Sequence, residues 1–143
     1  MARVSTYLNF PHSTEEAFLF YKSVFRSEFT KIMRFQEMPA HPDHPLADAD
    51  KNLLAHIELP ILGGHSLMGT DAPESMGFTV IPGNNVFINL QPDDRTETDR
   101  LFKTLAAGGK VDMPLQEMFW GDYFGSLADK FGTHWMFNCT SKT

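Results

Sequence analysis

Twice along these 143 residues the side-chain pattern runs through one order: an alternating stretch, a helical stretch, then three more alternating stretches. Period two marks a strand with one face buried, and a three-to-four spacing marks an amphipathic helix, so the chain spells βαβββ twice. Residues 4–10 set Val4, Thr6, Leu8 and Phe10 against Ser5, Tyr7 and Asn9, and Pro11 ends the run. Ser13 stands as an N-cap with Glu15 and Glu16 in the first turn, and Ala17, Phe18, Tyr21 and Phe25 carry a helix to about Arg26. Strands are expected at 29–38, 53–61 and 65–70, with Gly63-Gly64 turning between the last two. In the second half a strand is expected at 85–90. Asp93-Asp94 opens a helix that carries Leu101, Phe102 and Leu105, and Gly108-Gly109 closes it. Further strands are expected at 110–118, 123–129 and 133–140. The seam, 71–83, holds two prolines and two glycines and reads as a connector. The halves share little residue identity, so the repeat is one of pattern. The fold class is α+β: one domain, 1–143, of paired βαβββ modules at about 1–71 and 84–143.

Composition narrows the partners. Net charge is −6 and the pI about 5.4, with no basic patch, which speaks against nucleic acid. Thirteen Phe and eight Met are more than a small core needs, so some are available to line an apolar pocket. The single cysteine, Cys139, excludes an intrachain disulfide and fits a reducing cytoplasm. A strand pattern begins at once at the N-terminus, with no signal-peptide core and no 18-residue apolar run, so no membrane partner is expected. Residues 39–50 are too rich in proline and aspartate for regular structure. The His41/His44 pair inside them reads as solvated surface.

The closing residues Asp129-Lys130-Phe131-Gly132-Thr133-His134-Trp135-Met136-Phe137-Asn138 read as a tight turn at Gly132 and a last strand. His134, Met136 and Asn138 fall on one face of it, Trp135 and Phe137 on the other. An Asp-x-Phe-Gly loop before such a strand resembles the vicinal oxygen chelate superfamily, the glyoxalase, bleomycin-resistance and extradiol-dioxygenase fold. With the Trp135-Met136 pair it looks most like the PhnB-like branch. The resemblance spans almost the whole chain and includes Glu117-Met118-Phe119-Trp120. It implies two modules, each curling a mixed sheet around one side of a cleft, with the helices outside. A small doubled-module chain with many aromatics is expected to bury one apolar face against a second copy, as a homodimer.

Metal-dependent members place His or Glu on the first, fourth, fifth and eighth strands. The matching positions here are Tyr7, Met68, Asn85 and Met136, none a good ligand for a divalent ion that wants nitrogen or carboxylate. No cofactor is therefore expected, with a divalent ion at a displaced site as the open alternative. Alternation assigns Ala55, Ile57 and Leu59 to the helix side and Leu54, His56 and Glu58 to the cleft. It also sends Val86, Ile88 and Leu90 inward to the helix and leaves Asn85, Phe87 and Asn89 to the cleft. The residues expected to line a ligand site are Tyr7, Asn9, His56, Met68, Phe87, Phe119, Trp120 and Met136. His56 and Glu117 are the candidates for acid–base work; the plain reading of His56 is a hydrogen-bonded buried histidine, and that of the 117–120 segment is Phe119 and Trp120 capping the sheet or buried at a dimer interface.

No nucleotide loop or nucleophile elbow is present. PhnB-like sequences have carried a demethylubiquinone methyltransferase label. A methyl donor usually needs a Gly-rich strand-to-helix turn, whereas Gly63-Gly64 is expected between two strands. Two function classes remain. One is a small-molecule binding protein with an aromatic-lined cleft and without the usual metal. The other is a lyase, isomerase or dioxygenase-like enzyme acting on a small oxygenated substrate.

Overall fold

The structure, a computed structural model, describes residues 1–39, 43 and 45–143. The chain divides into two compact units, Met1–Ile81 and Pro82–Thr143. The first runs β1 (Thr6–Phe10), α1 (Thr14–Phe25), β2 (Lys31–Arg34), β3 (Leu54–Pro60) and β4 (Ser66–Asp71). The second runs β5 (Ile88–Leu90), α2 (Arg95–Ala106), β6 (Lys110–Glu117), β7 (Tyr123–Ala128) and β8 (His134–Cys139). Each forms a four-stranded sheet, in the orders β1-β4-β3-β2 and β5-β8-β7-β6. In both, the first strand pairs in parallel with the last and the remaining pairs are antiparallel. The doubled βαβββ order of the sequence is thus the architecture. His41 and His44 lie outside the described residues.

One face of each sheet is sealed by its helix. In the first unit Phe18, Tyr21 and Val24 of α1 are fully buried with Leu54, Ile57, Leu59 and Leu67 of the sheet. Contact is tight enough to forbid a side chain at Gly69, where a Cβ would stand 2.6 Å from the Phe18 ring. In the second unit Leu101, Phe102 and Leu105 of α2 are buried with Leu127, Trp135, Phe137 and Cys139. β6 is an edge strand, exposed along nearly its whole length. That position tolerates Pro114, which has no amide to donate to a ladder.

Several expectations are corrected. Ser13 occupies the N-cap of α1 but its side chain makes no capping bond. The capping group comes from the sheet: the buried Asp71 carboxylate accepts the Thr14 amide at 3.1 Å and the Leu54 amide at 2.8 Å. Asp71 therefore ends β4 and pins helix to strand, where the sequence placed it at the start of a connector. β2 is shorter than expected because a 3-10 turn takes over at Phe35–Glu37. On β3 the register steps from Met33↔His56 to Arg34↔Leu54, which leaves Ala55 as an extra residue. This bulge shifts the alternation, so Leu54 is buried and Ala55 is not. Val86 precedes β5 and is 72% exposed, so it does not pack. His65 is half-buried beside Thr6, with Nε2 and Oγ1 2.9 Å apart.

The Asp-x-Phe-Gly turn has a definite physical role. Buried Asp129 accepts the Phe131 amide (2.8 Å), the Thr133 amide (3.1 Å) and the Trp135 indole N–H (2.9 Å). Gly132 turns the chain at φ 90°, a conformation that suits glycine.

Gly69→Ala forces a methyl group into Phe18 and is expected to cost about 1–3 kcal/mol, the usual range for overpacking. Urea unfolding of the variant should show the lower midpoint with an unchanged slope.

Candidate functional site

The faces turned away from the helices carry the polar groups. In the first unit the ladder sets one row across the sheet: Tyr7 beside Met68, Met68 beside Glu58, Glu58 beside Lys31. The neighbouring positions hold Asn9 beside Thr70 and His56 beside Met33. His56 lies two residues from Glu58, so beyond the bulge the period-two rule returns both to this open face.

Three of these side chains are joined. The Tyr7 hydroxyl and His56 Nδ1 are 2.9 Å apart, and His56 Nε2 lies 3.2 Å from a Glu58 carboxylate oxygen. The Tyr7 and His56 rings are tilted by 31° with centroids 5.6 Å apart. His56 and Glu58 side chains are each 23% exposed, and Tyr7 stands more open at 46%. Half-burial and the nearby Glu58 charge both raise the Tyr7 pKa above 10.0, burial being the larger cause. Met68 lies between Tyr7 and Glu58 in the register, and its sulfur is 3.7 Å from the Ser5 hydroxyl.

In the second unit the equivalent row is Asn89, Met136, Ser126 and Met113. Asn89 therefore holds the place on β5 that Tyr7 holds on β1. The sequence had given it to Asn85, which lies in a bend before the strand. The signal was available, since Asn89 alternates with the buried Leu90, but the strand was started three residues too early. Phe87 stacks edge-on against His134 with centroids 5.2 Å apart. The His134 Nδ1 is buried and has no hydrogen-bond partner among the described residues. Asn138 donates to the Asp122 carboxylate at 3.0 Å.

Phe119 and Trp120 stand on the turn between β6 and β7. Trp120 is edge-on to Phe119 and, at 6.1 Å, to Phe124; the two turn residues are 97% and 49% exposed. Glu117 lies elsewhere. It is on the α2 side, where Arg95 donates to it at 2.9 Å and stacks over the Tyr123 ring. That hydrogen bond, together with the Arg95 charge, lowers its pKa. A carboxylate held ionised by a guanidinium is poorly suited to give or take protons near neutral pH, and its surroundings are those of a structural ion pair.

The four strand positions that the resemblance associates with a metal are thus Tyr7, Met68, Asn89 and Met136. A phenol, an amide and two thioethers do not match the nitrogen and carboxylate preference of a hard or borderline divalent ion. Among the described residues no group of three or more His, Cys, Asp or Glu converges as a metal site either. These donors do not fit the superfamily's metal.

A family model described as 3-demethylubiquinone-9 3-methyltransferase matches residues 2–137. A PhnB protein from Bacillus cereus is 28% identical, with 96% of this chain and 99% of that one covered at a TM-score of 0.73. This chain is a PhnB-like member of the vicinal oxygen chelate superfamily. Protein PA1353 from Pseudomonas aeruginosa is 32% identical over 97% of this chain and 98% of that one, at a TM-score of 0.84. A glyoxylase/bleomycin resistance protein/dioxygenase domain from Frankia sp. EAN1pec shares the fold at 13% identity and a TM-score of 0.66, covering 99% and 94% of the two chains. No helix among the described residues of this PhnB-like chain is long and apolar enough to cross a membrane.

Both Tyr7 and Tyr123 have raised pKa values, Tyr123 first through its hydrogen bond to Asp99. Ultraviolet titration is expected to show phenols ionising above pH 10, one of which disappears in Tyr7→Phe. Glu58→Gln removes a nearby negative charge and should move the Tyr7 transition down. The linkage has a definite sign. A phenol that keeps its proton longer in the folded chain loses its stabilising contribution as pH rises above 10.0, and Tyr7→Phe should flatten that alkaline loss.

Proposed function

We propose that this PhnB-like chain binds small molecules on the open, partly aromatic face of each sheet taken by itself, without the superfamily's usual metal. The observation that carries the reading is the Tyr7–His56 hydrogen bond with Glu58 in ion-pair contact beyond it, half-buried beside Met68 on a face that no helix among the described residues covers. A few ordered polar groups beside ring and thioether surface are a form that ligand sites take. In the second unit Asn89, Met136, Phe87 and Trp120 offer the same mixture. Methyl transfer, named in the family description, is not adopted. Gly63-Gly64 joins β3 to β4, and neither sheet presents a Gly-rich strand-to-helix turn.

The test is a fluorescence and thermal-shift screen of small oxygenated aromatics, aldehydes, thiol adducts and phosphonates. Trp120 is the expected reporter, because Trp135 is fully buried beneath α2. Ligand bound on the second sheet should quench it, and Trp120→Ala should weaken that binding by about 1–3 kcal/mol, the worth of a buried aromatic contact. His56→Ala should weaken binding of polar ligands on the first sheet by about 1–3 kcal/mol through an unpaired group. A hit indifferent to both substitutions would place the site elsewhere.

The same reading includes a homodimer and a cytoplasmic protein. Phe119 at 97% exposure, stacked on Trp120, is a costly surface for a lone chain and suits a face covered by a second copy. Light scattering at micromolar concentration is expected to give a mass of two chains, and Phe119→Ser should shift it toward one. A single-chain mass for the unaltered protein would contradict the dimer.

A further inference from the structure

The proton positions within the Tyr7–His56–Glu58 group follow from charge and from the donor and acceptor inventory. His56 Nε2 and the Glu58 carboxylate are in ion-pair contact at 3.2 Å, and that negative charge favours the tautomer of the neutral ring that carries its proton on Nε2. A neutral imidazole carrying its proton there presents a lone pair at Nδ1, and only the Tyr7 O–H can donate to it. The Tyr7 proton is then committed to His56, while the phenol oxygen turns its lone pairs to the open side. This is the wiring of a nucleophile–base–orienter set with a phenol in the first place. A phenol whose pKa is raised keeps its proton until something takes it.

From this wiring we infer that the open face of the first sheet is a proton-accepting site for a weakly acidic hydroxyl compound, of the phenol or enol class, which it holds as its anion. The inference rests on the small-molecule reading above and names its ligand chemistry. The ligand O–H donates to the Tyr7 oxygen. In the transfer the ligand O–H bond breaks and a new Tyr7 O–H bond forms, while the original Tyr7 proton passes to His56 Nδ1. The products are a ligand oxyanion, hydrogen-bonded by the neutral Tyr7 hydroxyl, and an imidazolium against the Glu58 carboxylate. Charge is conserved and no outside oxidant or reductant is needed. The charged and titratable groups that face the site among the described residues are Glu58 on β3, Lys31 beside it on β2, and Arg3 ahead of β1, which donates to Ser66. β4 supplies Ser66, Met68 and Thr70, none of them charged.

Two measurements on the full chain test this. Nitrogen-15 histidine spectra of the ligand-free protein should show His56 as the Nε2–H tautomer, with its Nδ1 resonance moving in Tyr7→Phe; a proton on Nδ1 in the neutral ring overturns the inference. The second measurement uses para-nitrophenol, whose visible absorbance reports its own ionisation, with nitrobenzene as the control that has no hydroxyl. Para-nitrophenol should bind at least about tenfold more tightly than nitrobenzene, a difference of about 1.4 kcal/mol. It should be bound as phenolate one pH unit below its free pKa. The phenolate signal should vanish in His56→Gln, which can still fill the space, and weaken in Glu58→Gln. Para-nitrophenol bound as the neutral phenol, or no more tightly than nitrobenzene, overturns the inference and leaves small-molecule binding standing. Binding of neither compound counts against the small-molecule reading itself and takes this inference with it.

Discussion

A helix sealed against one face of a sheet commits every second side chain of that sheet to the opposite face. In this chain the seal is close: Phe18 lies where a Gly69 side chain would be, and the Asp71 carboxylate bonds both α1 and β3 from the end of β4. Burial of that layer is the main favourable term for so small a unit. The polar row on the open face follows from it. Tyr7, Met68 and Glu58 cannot turn inward without emptying the core of their buried strand neighbours, among them Leu67 and Leu59.

The repeat of elements and the class of fold were legible because they rest on periodicity, which survives small errors of boundary. Trp135 and Phe137 were placed inward, and Met136 outward, from alternation alone, and their burial agrees. What failed was whatever depended on one residue more or less. The extra residue at Ala55 reversed the faces expected for Leu54 and Ala55, and a bulge leaves no mark in hydrophobic pattern. Starting β5 at 85 rather than 88 put Asn85 where Asn89 belongs. The helix cap was assigned to nearby Ser13, because a carboxylate fifty-seven positions along the chain is invisible to local reading.

The site was legible to the same degree. His56 and Glu58 were sent to the open face by alternation, yet their union with Tyr7 needed the parallel β1–β4 pairing, which only the fold supplies. Glu117 shows the opposite case. The PhnB-like resemblance puts its segment at a pocket mouth, but Arg95 at the start of α2 takes its carboxylate on the other side of the sheet. Charge pairing across an element boundary decided its surroundings.

We propose that this open face works through hydrogen bonds at the strand positions where the resemblance places a metal. Its chemistry argues for that: thioethers at Met68 and Met136, a phenol at Tyr7 and an amide at Asn89 leave a divalent ion without its preferred donors. The direct measurement is elemental analysis of protein produced in medium supplemented with zinc, nickel, manganese and iron and purified without chelator. The account predicts well under one equivalent of each metal per chain. One equivalent of any of them, lost on Tyr7→Phe or Met68→Ala, would contradict it.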